Sequence, residues 1–240
     1  MRRDLILIKQ TKPLIFAILM TAFSTPGLAL ETLGKQAILV EAKTGAVLFA
    51  KNPDERMPPS SMSKIMTVYK VFEALKDGAL SLNDTFHVSE KAWRKSGSKM
   101  FVRLNSRVKV EDLIRGIIVQ SGNDATIVVA EGLAGSESAF AEELNDTARS
   151  LGMNASNFTN ASGWPHPDQF TTARDLARLA LVTIKKFPEY YHYYKEKTFT
   201  YNGIKQGNRN PTLYRKLGSD GLKTGHTQAA GYGLTTSAVR

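Results

Sequence analysis

The sequence predicts an α+β fold: an antiparallel sheet made from the two ends of the chain, flanked by helices, with a helical subdomain inserted between. Three observations predict it. Short apolar runs of strand character stand near the beginning (residues 36–41 and 46–50) and return near the end (221–224 and 231–238). Apolar stripes at helical spacing fill the middle. Strands and helices do not alternate, which excludes a parallel sheet built from βαβ units.

Each element has its own signal. Residues 36–41 (QAILVE) and 46–50 (AVLFA) read as two strands, with Ala42-Lys43-Thr44-Gly45 as the hairpin turn. Pro58 and Pro59 stop the extended stretch and permit a helix start. From Ser61 onward, Ile65, Val68, Phe72 and Leu75 recur at helical spacing, and Gly78 stands just past the end. Val110, Leu113, Ile114, Ile117 and Ile118 make a cleaner stripe, apolar enough for a central helix. Ser121-Gly122-Asn123 breaks that run; an apolar helix resumes over 125–134 and ends near Gly135. Phe140, Leu144, Ala148 and Leu151 mark a further helix closed by Gly152. Thr172-Ala173-Arg174-Asp175 resembles a capping box with Asp in place of Glu, opening a helix to about Lys185. Beyond Pro188 the chain is extended again, first over 197–201. Trp164-Pro165-His166-Pro167-Asp168 is expected to be a rigid, packed surface loop, and Tyr190, Tyr191, Tyr193 and Tyr194 are expected to pack in the core.

The 240 residues are 42% hydrophobic and 22% charged, ordinary for a globular protein and unlike a disordered or fibrous chain. With no Cys, thiolate zinc sites, iron–sulfur clusters and Cys nucleophiles are excluded. His87, His166 and His192 share no metal-ligand spacing. Residues 1–29 have the layout of a secretory signal peptide: Arg2, Arg3, Lys9 and Lys12, then the uncharged PLIFAILMTAF, then Gly27 and Ala29 before a cut after Ala29. The apolar run is shorter than the roughly 20 residues a membrane-spanning helix needs. Without these residues the chain keeps 28 basic and 21 acidic groups, a net of +7. No long Lys/Arg block or RNA-binding aromatic motif points to nucleic acid. For an exported protein, anionic wall polymers and membrane surfaces are the expected partners.

Three short segments carry chemistry. In Ser61-Met62-Ser63-Lys64, helical spacing puts the hydroxyl and the amine on one face, within about 5–6 Å at Cβ. Burial and a second cation would free the amine of its proton and let it act as base. Backbone N–H groups at the helix start can stabilise an oxyanion. Ser121-Gly122-Asn123 places polar groups between two buried helices, where a hydroxyl can carry a proton and an amide can hold a substrate carbonyl. Lys223-Thr224-Gly225, followed by His226, lies in a strand; the Lys supplies the second cation and the Gly admits a close backbone approach. Each triplet alone occurs by chance, but the three in this order, each in a fitting element, are far rarer.

These motifs resemble those of penicillin-binding proteins and serine β-lactamases. The surroundings narrow the resemblance to the low-molecular-mass D-alanyl-D-alanine carboxypeptidases, peptidase family S11. They include Pro59 to Thr67, Thr172 to Asp175, Asn208-Arg209-Asn210 and Asp220 to Thr227 followed by Gly231-Tyr232. The similarity runs from about residue 36 to 238, with Ser60 standing where the family commonly has Ala. The resemblance implies a β-lactamase/transpeptidase-like fold over 30–240, C-terminally incomplete because members of the family continue with further strands, a second domain and often a membrane anchor. Peripheral membrane association is implied only through such an anchor. It further implies that Ser61 is the nucleophile, Lys64 its base and Ser121 the proton relay to the leaving D-alanine, in a network held by Lys223. Asn123 would hold a peptide carbonyl, Thr224 the terminal carboxylate with Arg209 as a further candidate, and the N–H groups of Ser61 and His226 the oxyanion, with Gly225 between them. The implied substrate is a peptidoglycan pentapeptide stem, with β-lactams as covalent inhibitors, no cofactor and no metal, in the periplasm or cell envelope. Rival readings are a D-Ala endopeptidase of the same family, an inactive wall-binding fragment, and a class A β-lactamase. The last needs Glu in an E-x-E-L-N run, where this chain has Ala141 before Glu142-Glu143-Leu144-Asn145.

Overall fold

The computed structural model describes residues 31–239, so the expected signal segment over 1–29 lies outside the described residues. Strand β1 (Ala37–Val40) pairs antiparallel with β2 (Val47–Lys51), Ala37 facing Lys51. The Glu41 carboxylate accepts from the Lys43 and Thr44 amides and Gly45 takes φ +79°, so the expected turn closes through an acid side chain and a left-handed glycine. A 3-10 turn at Ser60–Ser63 then runs directly into α1 (Lys64–Lys76). The first turn is therefore tighter than the α-helix expected from Ser61.

The hairpin of β3 (Thr85–His87) and β4 (Arg107–Lys109) encloses α2 (Glu90–Arg94). Three-residue strands are too short to show alternation, and the sequence reading missed them. Helices α3 (Val110–Ile118), α4 (Asn123–Ala134), α5 (Glu137–Ser150) and α6 (Ala173–Lys186) lie where periodicity predicts. The helix enclosed on all sides is α4 rather than α3, because every residue from Asn123 to Ala130 is buried. The outer face of α3 instead carries Arg115, paired at 3.0 Å with both Glu111 and Glu196. Ile65, Met66 and Phe72 of α1 pack with the α3 stripe and α4 in one core. Tyr193 and Tyr194, in a 3-10 turn at Tyr191–Lys195, are buried around Phe72 as expected.

Thr172 caps α6 by accepting from the Asp175 amide at 3.0 Å. The reciprocal half of the box is absent. Asp175, one methylene shorter than Glu, instead accepts from the Ala155 amide and the Ser156 hydroxyl. The last elements are the hairpins β5 (Thr198–Tyr201) with β6 (Ile204–Gly207) and β7 (Ser219–Thr227) with β8 (Gly231–Ala238). The architecture is mixed α and antiparallel β, as predicted. However, the described residues form four separate two-stranded sheets, and the first and last hairpins are not hydrogen-bonded to one another. Each touches α6, through β1 and β8, so the two ends of the chain meet on a helix and not in a shared ladder.

Candidate active site

Strand β7 packs against the 3-10 turn that carries Ser61. The approach depends on Gly225: a Cβ there would stand 3.0 Å from Ser60 Cβ and 3.2 Å from the Ser61 amide nitrogen. Gly163 closes in from the other side at φ +77°, where a Cβ would fall 1.8 Å from the Ser60 carbonyl oxygen. Ser60 and Ser121 both hold positive φ, 49° and 58°, a conformation that costs a non-glycine residue on the order of 1–3 kcal/mol. Ser60 Oγ lies 3.3 Å from Thr227 Oγ1, joining the nucleophile turn to the end of β7.

Lys64, the first residue of α1, is fully buried. Its Nζ lies 2.9 Å from Ser61 Oγ, 2.8 Å from Asn123 Oδ1 and 2.7 Å from the Ser162 carbonyl. Two of these neighbours can only accept. A neutral amine spends its two N–H bonds on them, and its lone pair then faces the Ser61 hydroxyl, whose proton it can take. Burial pushes the Lys64 pKa well below the ordinary lysine range, and the charges of Lys223, Arg209 and Lys95 push the same way against Asp124. Lys223 is also buried, and desolvation followed by the Arg209 charge lowers its pKa to about 7.

The other expected residues gather here with differences. Ser61, Ser121, Arg209, Thr224, Gly225 and His226 line one cleft of about 560 Å³. Asn123 is nearly buried, with Oδ1 on Lys64 and one Nδ2–H given to the Ser96 carbonyl. It therefore orients the amine, and a second N–H remains for a ligand. Lys223 Nζ donates to the Thr224 carbonyl at 3.0 Å and makes no hydrogen bond to Ser121. The His226 ring is exposed and lies tilted against Tyr232 with centroids 4.2 Å apart, both residues lining the cleft. Arg209 donates to Ser98 Oγ at 2.7 Å, and its closeness to both lysines favours anions in the cleft.

Sequence reasoning missed three contributors. Asp124 is buried and accepts from the Met100, Phe101, Val102 and Ala125 amides, tying the segment beside Asn123 to the start of α4. Its position directly after Ser-Gly-Asn, in a first helical turn, was the available signal. Ser162 acts through its carbonyl, which no side-chain motif reveals. Lys95, whose charge helps to lower the Lys64 pKa, has its Nζ 4.4 Å from the Trp164 ring centroid. Among the described residues no carboxylate is hydrogen-bonded to Ser61 or Lys64, and Asn145 is engaged with Phe158.

Fold and site together define a class: an α+β protein of the penicillin-binding, transpeptidase-like kind, built around a half-buried serine on a buried lysine, near a second buried lysine. A sequence profile of the D-alanyl-D-alanine carboxypeptidases, peptidase family S11, matches residues 21–240. The chain belongs to this family. It is 45% identical over 206 residues to the D-alanyl-D-alanine carboxypeptidase DacA of Haemophilus influenzae, covering 84% of this chain and 52% of that one. The crystal structure of penicillin binding protein 5 from the same organism superposes with a TM-score of 0.86 at 42% identity, over 89% of this chain and 64% of that one. Penicillin-Binding Protein D2 from Listeria monocytogenes, solved in an ampicillin-bound form, matches with a TM-score of 0.79 at 30% identity, over 88% and 86% of the two chains. The chain spans about half the length of the curated relatives it matches.

Proposed function

We propose that residues 30–240 form the catalytic domain of a serine-type D-Ala-D-Ala carboxypeptidase, exported to the cell envelope by the signal peptide over 1–29. The observation that carries the reading is the buried Lys64 amine held between Ser61 and two obligate acceptors. Ser61 Oγ attacks the carbonyl joining the two terminal D-alanines of a peptidoglycan stem, and its proton passes to Lys64 Nζ. The N–H groups of Ser61 and His226 hold the oxyanion. The C–N bond breaks, and the leaving amine takes a proton from the Ser121 hydroxyl. That hydroxyl regains one from the Lys64 ammonium in the field of Lys223, so Lys64 returns to the neutral amine. Thr224 and Arg209 hold the departing carboxylate. Water then hydrolyses the ester. A β-lactam enters by the same attack. The test is release of D-alanine from a pentapeptide stem, together with covalent labelling by fluorescent penicillin. Ser61→Ala is expected to abolish both, and losses in a nucleophile–base unit reach about 10⁶-fold. Normal labelling of that variant would assign the wrong serine. For export, mass spectrometry of envelope protein should find Leu30 as the first residue; a retained Met1 would refute the cut after Ala29.

A further inference from the structure

The positive charge of this chain is gathered in one stretch. Residues 195–217 hold Lys195, Lys197, Lys205, Arg209, Arg215 and Lys216 against a single acid, Glu196, and so carry +5 of the net +7 of residues 30–240. The Glu196 carboxylate is spent on the Arg115 guanidinium, whose Nε lies 3.0 and 3.1 Å from its two oxygens. All six basic residues are exposed. Among the described residues Arg209 alone of the six donates a side-chain hydrogen bond, to Ser98 Oγ, and none of them is in an ion pair.

Local structure puts these charges on one surface. In the β5–β6 hairpin Lys205 stands opposite Thr200 and Gly207 opposite Thr198, so the four share the outer face. Gln206 turns the other way and donates to the Lys99 carbonyl at 3.0 Å. Tyr214, the last residue of a 3-10 turn over Pro211–Tyr214, covers Gly207: a Cβ there would come 3.7 Å from Tyr214 Oη. That hydroxyl lies 2.9 Å from the Lys197 carbonyl and 3.0 Å from the Asn208 carbonyl, and Lys197 Nζ lies 5.7 Å from the Tyr214 ring centroid. Tyr214 stays 54% exposed and leads directly into Arg215 and Lys216. The patch reaches the catalytic cleft, because Arg209 and Pro211, just before and at the start of that turn, line the cleft.

We propose that this surface is a second binding site, outside the cleft, for the polymeric form of the substrate: it holds the carboxylates of neighbouring stems on the same polymer while one stem occupies the cleft. Each uncut stem ends in a carboxylate, so the polymer is a polyanion where a single soluble peptide is not. Unpaired lysines and arginines spread over a hairpin face suit repeated, spaced anions, and the exposed Tyr214 ring offers a flat face to a sugar. Tethering through the patch raises the local concentration of stems at Ser61 and leaves the bond chemistry alone. The proposal rests on the carboxypeptidase reading, which supplies the polymer.

The test compares D-alanine release from insoluble peptidoglycan carrying pentapeptide stems with release from a soluble N-acetylated pentapeptide. The triple variant Lys205→Glu, Arg215→Glu, Lys216→Glu is expected to lose about tenfold in rate on the polymer. It should keep the parent's kcat/KM on the peptide and the parent's rate of acylation by fluorescent penicillin. Added salt should bring the parent down toward the variant on the polymer, since exposed charges are screened beyond about 10 Å at about 0.1 M. A charge-matched control at exposed positions away from the patch, Lys35→Glu, Lys43→Glu, Lys185→Glu, should stay within about twofold of the parent on both substrates. Equal rates of parent and patch variant on the polymer, an equal loss on the peptide, or an equal loss in the control would overturn the site. So would binding of the parent but not the patch variant to phosphatidylglycerol vesicles with polymer turnover unchanged, which assigns the patch to a lipid surface. If neither substrate releases D-alanine, the carboxypeptidase reading fails separately. Co-sedimentation with the insoluble polymer then reads the patch: binding lost in the patch variant supports the site, and binding retained overturns it.

Discussion

Transferring a lysine ammonium from water to the place of Lys223 strips its hydration and sets it against Arg209, and its pKa falls to about 7. The unfolded chain keeps the ordinary value near 10.5. Between these values the unfolded state binds a proton that the folded state does not, so this group makes stability rise with pH from about 7 to 10.5. Below 7 the full penalty remains, on the order of 5 kcal/mol. Lys223→Met is therefore expected to raise Tm at pH 6 and flatten its rise toward pH 10, while penicillin acylation collapses; thermal melts across pH check this, and an unchanged Tm profile would refute it. Lys64 titrates in the same downward direction, and acylation should increase with pH as its amine loses the proton. Lys64→Arg keeps a cation but cannot supply a lone pair at any working pH, so near-normal acylation by that variant would remove Lys64 from the role of base.

Secondary elements place these side chains through a few backbone contacts. Asp124→Asn would turn an N–H of the new amide toward amides that now donate to the carboxylate. The expected cost is about 2–4 kcal/mol, with faster amide exchange at Met100 to Val102 measured by hydrogen exchange. Gly163→Ala should cost more at the site than in the fold, because its Cβ collides with the Ser60 carbonyl; a penicillin acylation rate within twofold of the parent would contradict the contact. Most of this level was legible. The stripes of α1, α3, α4, α5 and α6 were long enough to show their period, and Thr172 announced its cap. The β3–β4 hairpin was not, since a strand of three residues carries a single alternation. Nor could the sequence show that Asn123 spends its carbonyl on Lys64, because that depends on how deeply α1 and α4 pack together. The Ser–Lys pair was legible because both members lie within one helical turn.

At the scale of the whole molecule, the first and last hairpins share a supporting helix but no ladder among the described residues. The sequence reading placed strands at both ends correctly, yet it merged them into one sheet, because strand character says nothing about which neighbour a ladder will choose.

The cage around the Lys64 amine also sets a clock. Its lone pair is aimed at one atom, Ser61 Oγ, because Asn123 and Ser162 hold the other two directions. Once Ser61 is esterified that oxygen has no proton to give, and the amine faces an ester rather than a hydrolytic water. With no carboxylate hydrogen-bonded to the pair among the described residues, a hydrolytic water depends on the space that the leaving group vacates: a departing D-alanine vacates it, whereas the leaving amine of a β-lactam stays tethered through its opened ring. The same geometry that makes acylation fast makes a bulky adduct long-lived. A β-lactam would thus be consumed one molecule per protein molecule, and the bound fraction would count active sites rather than report turnover.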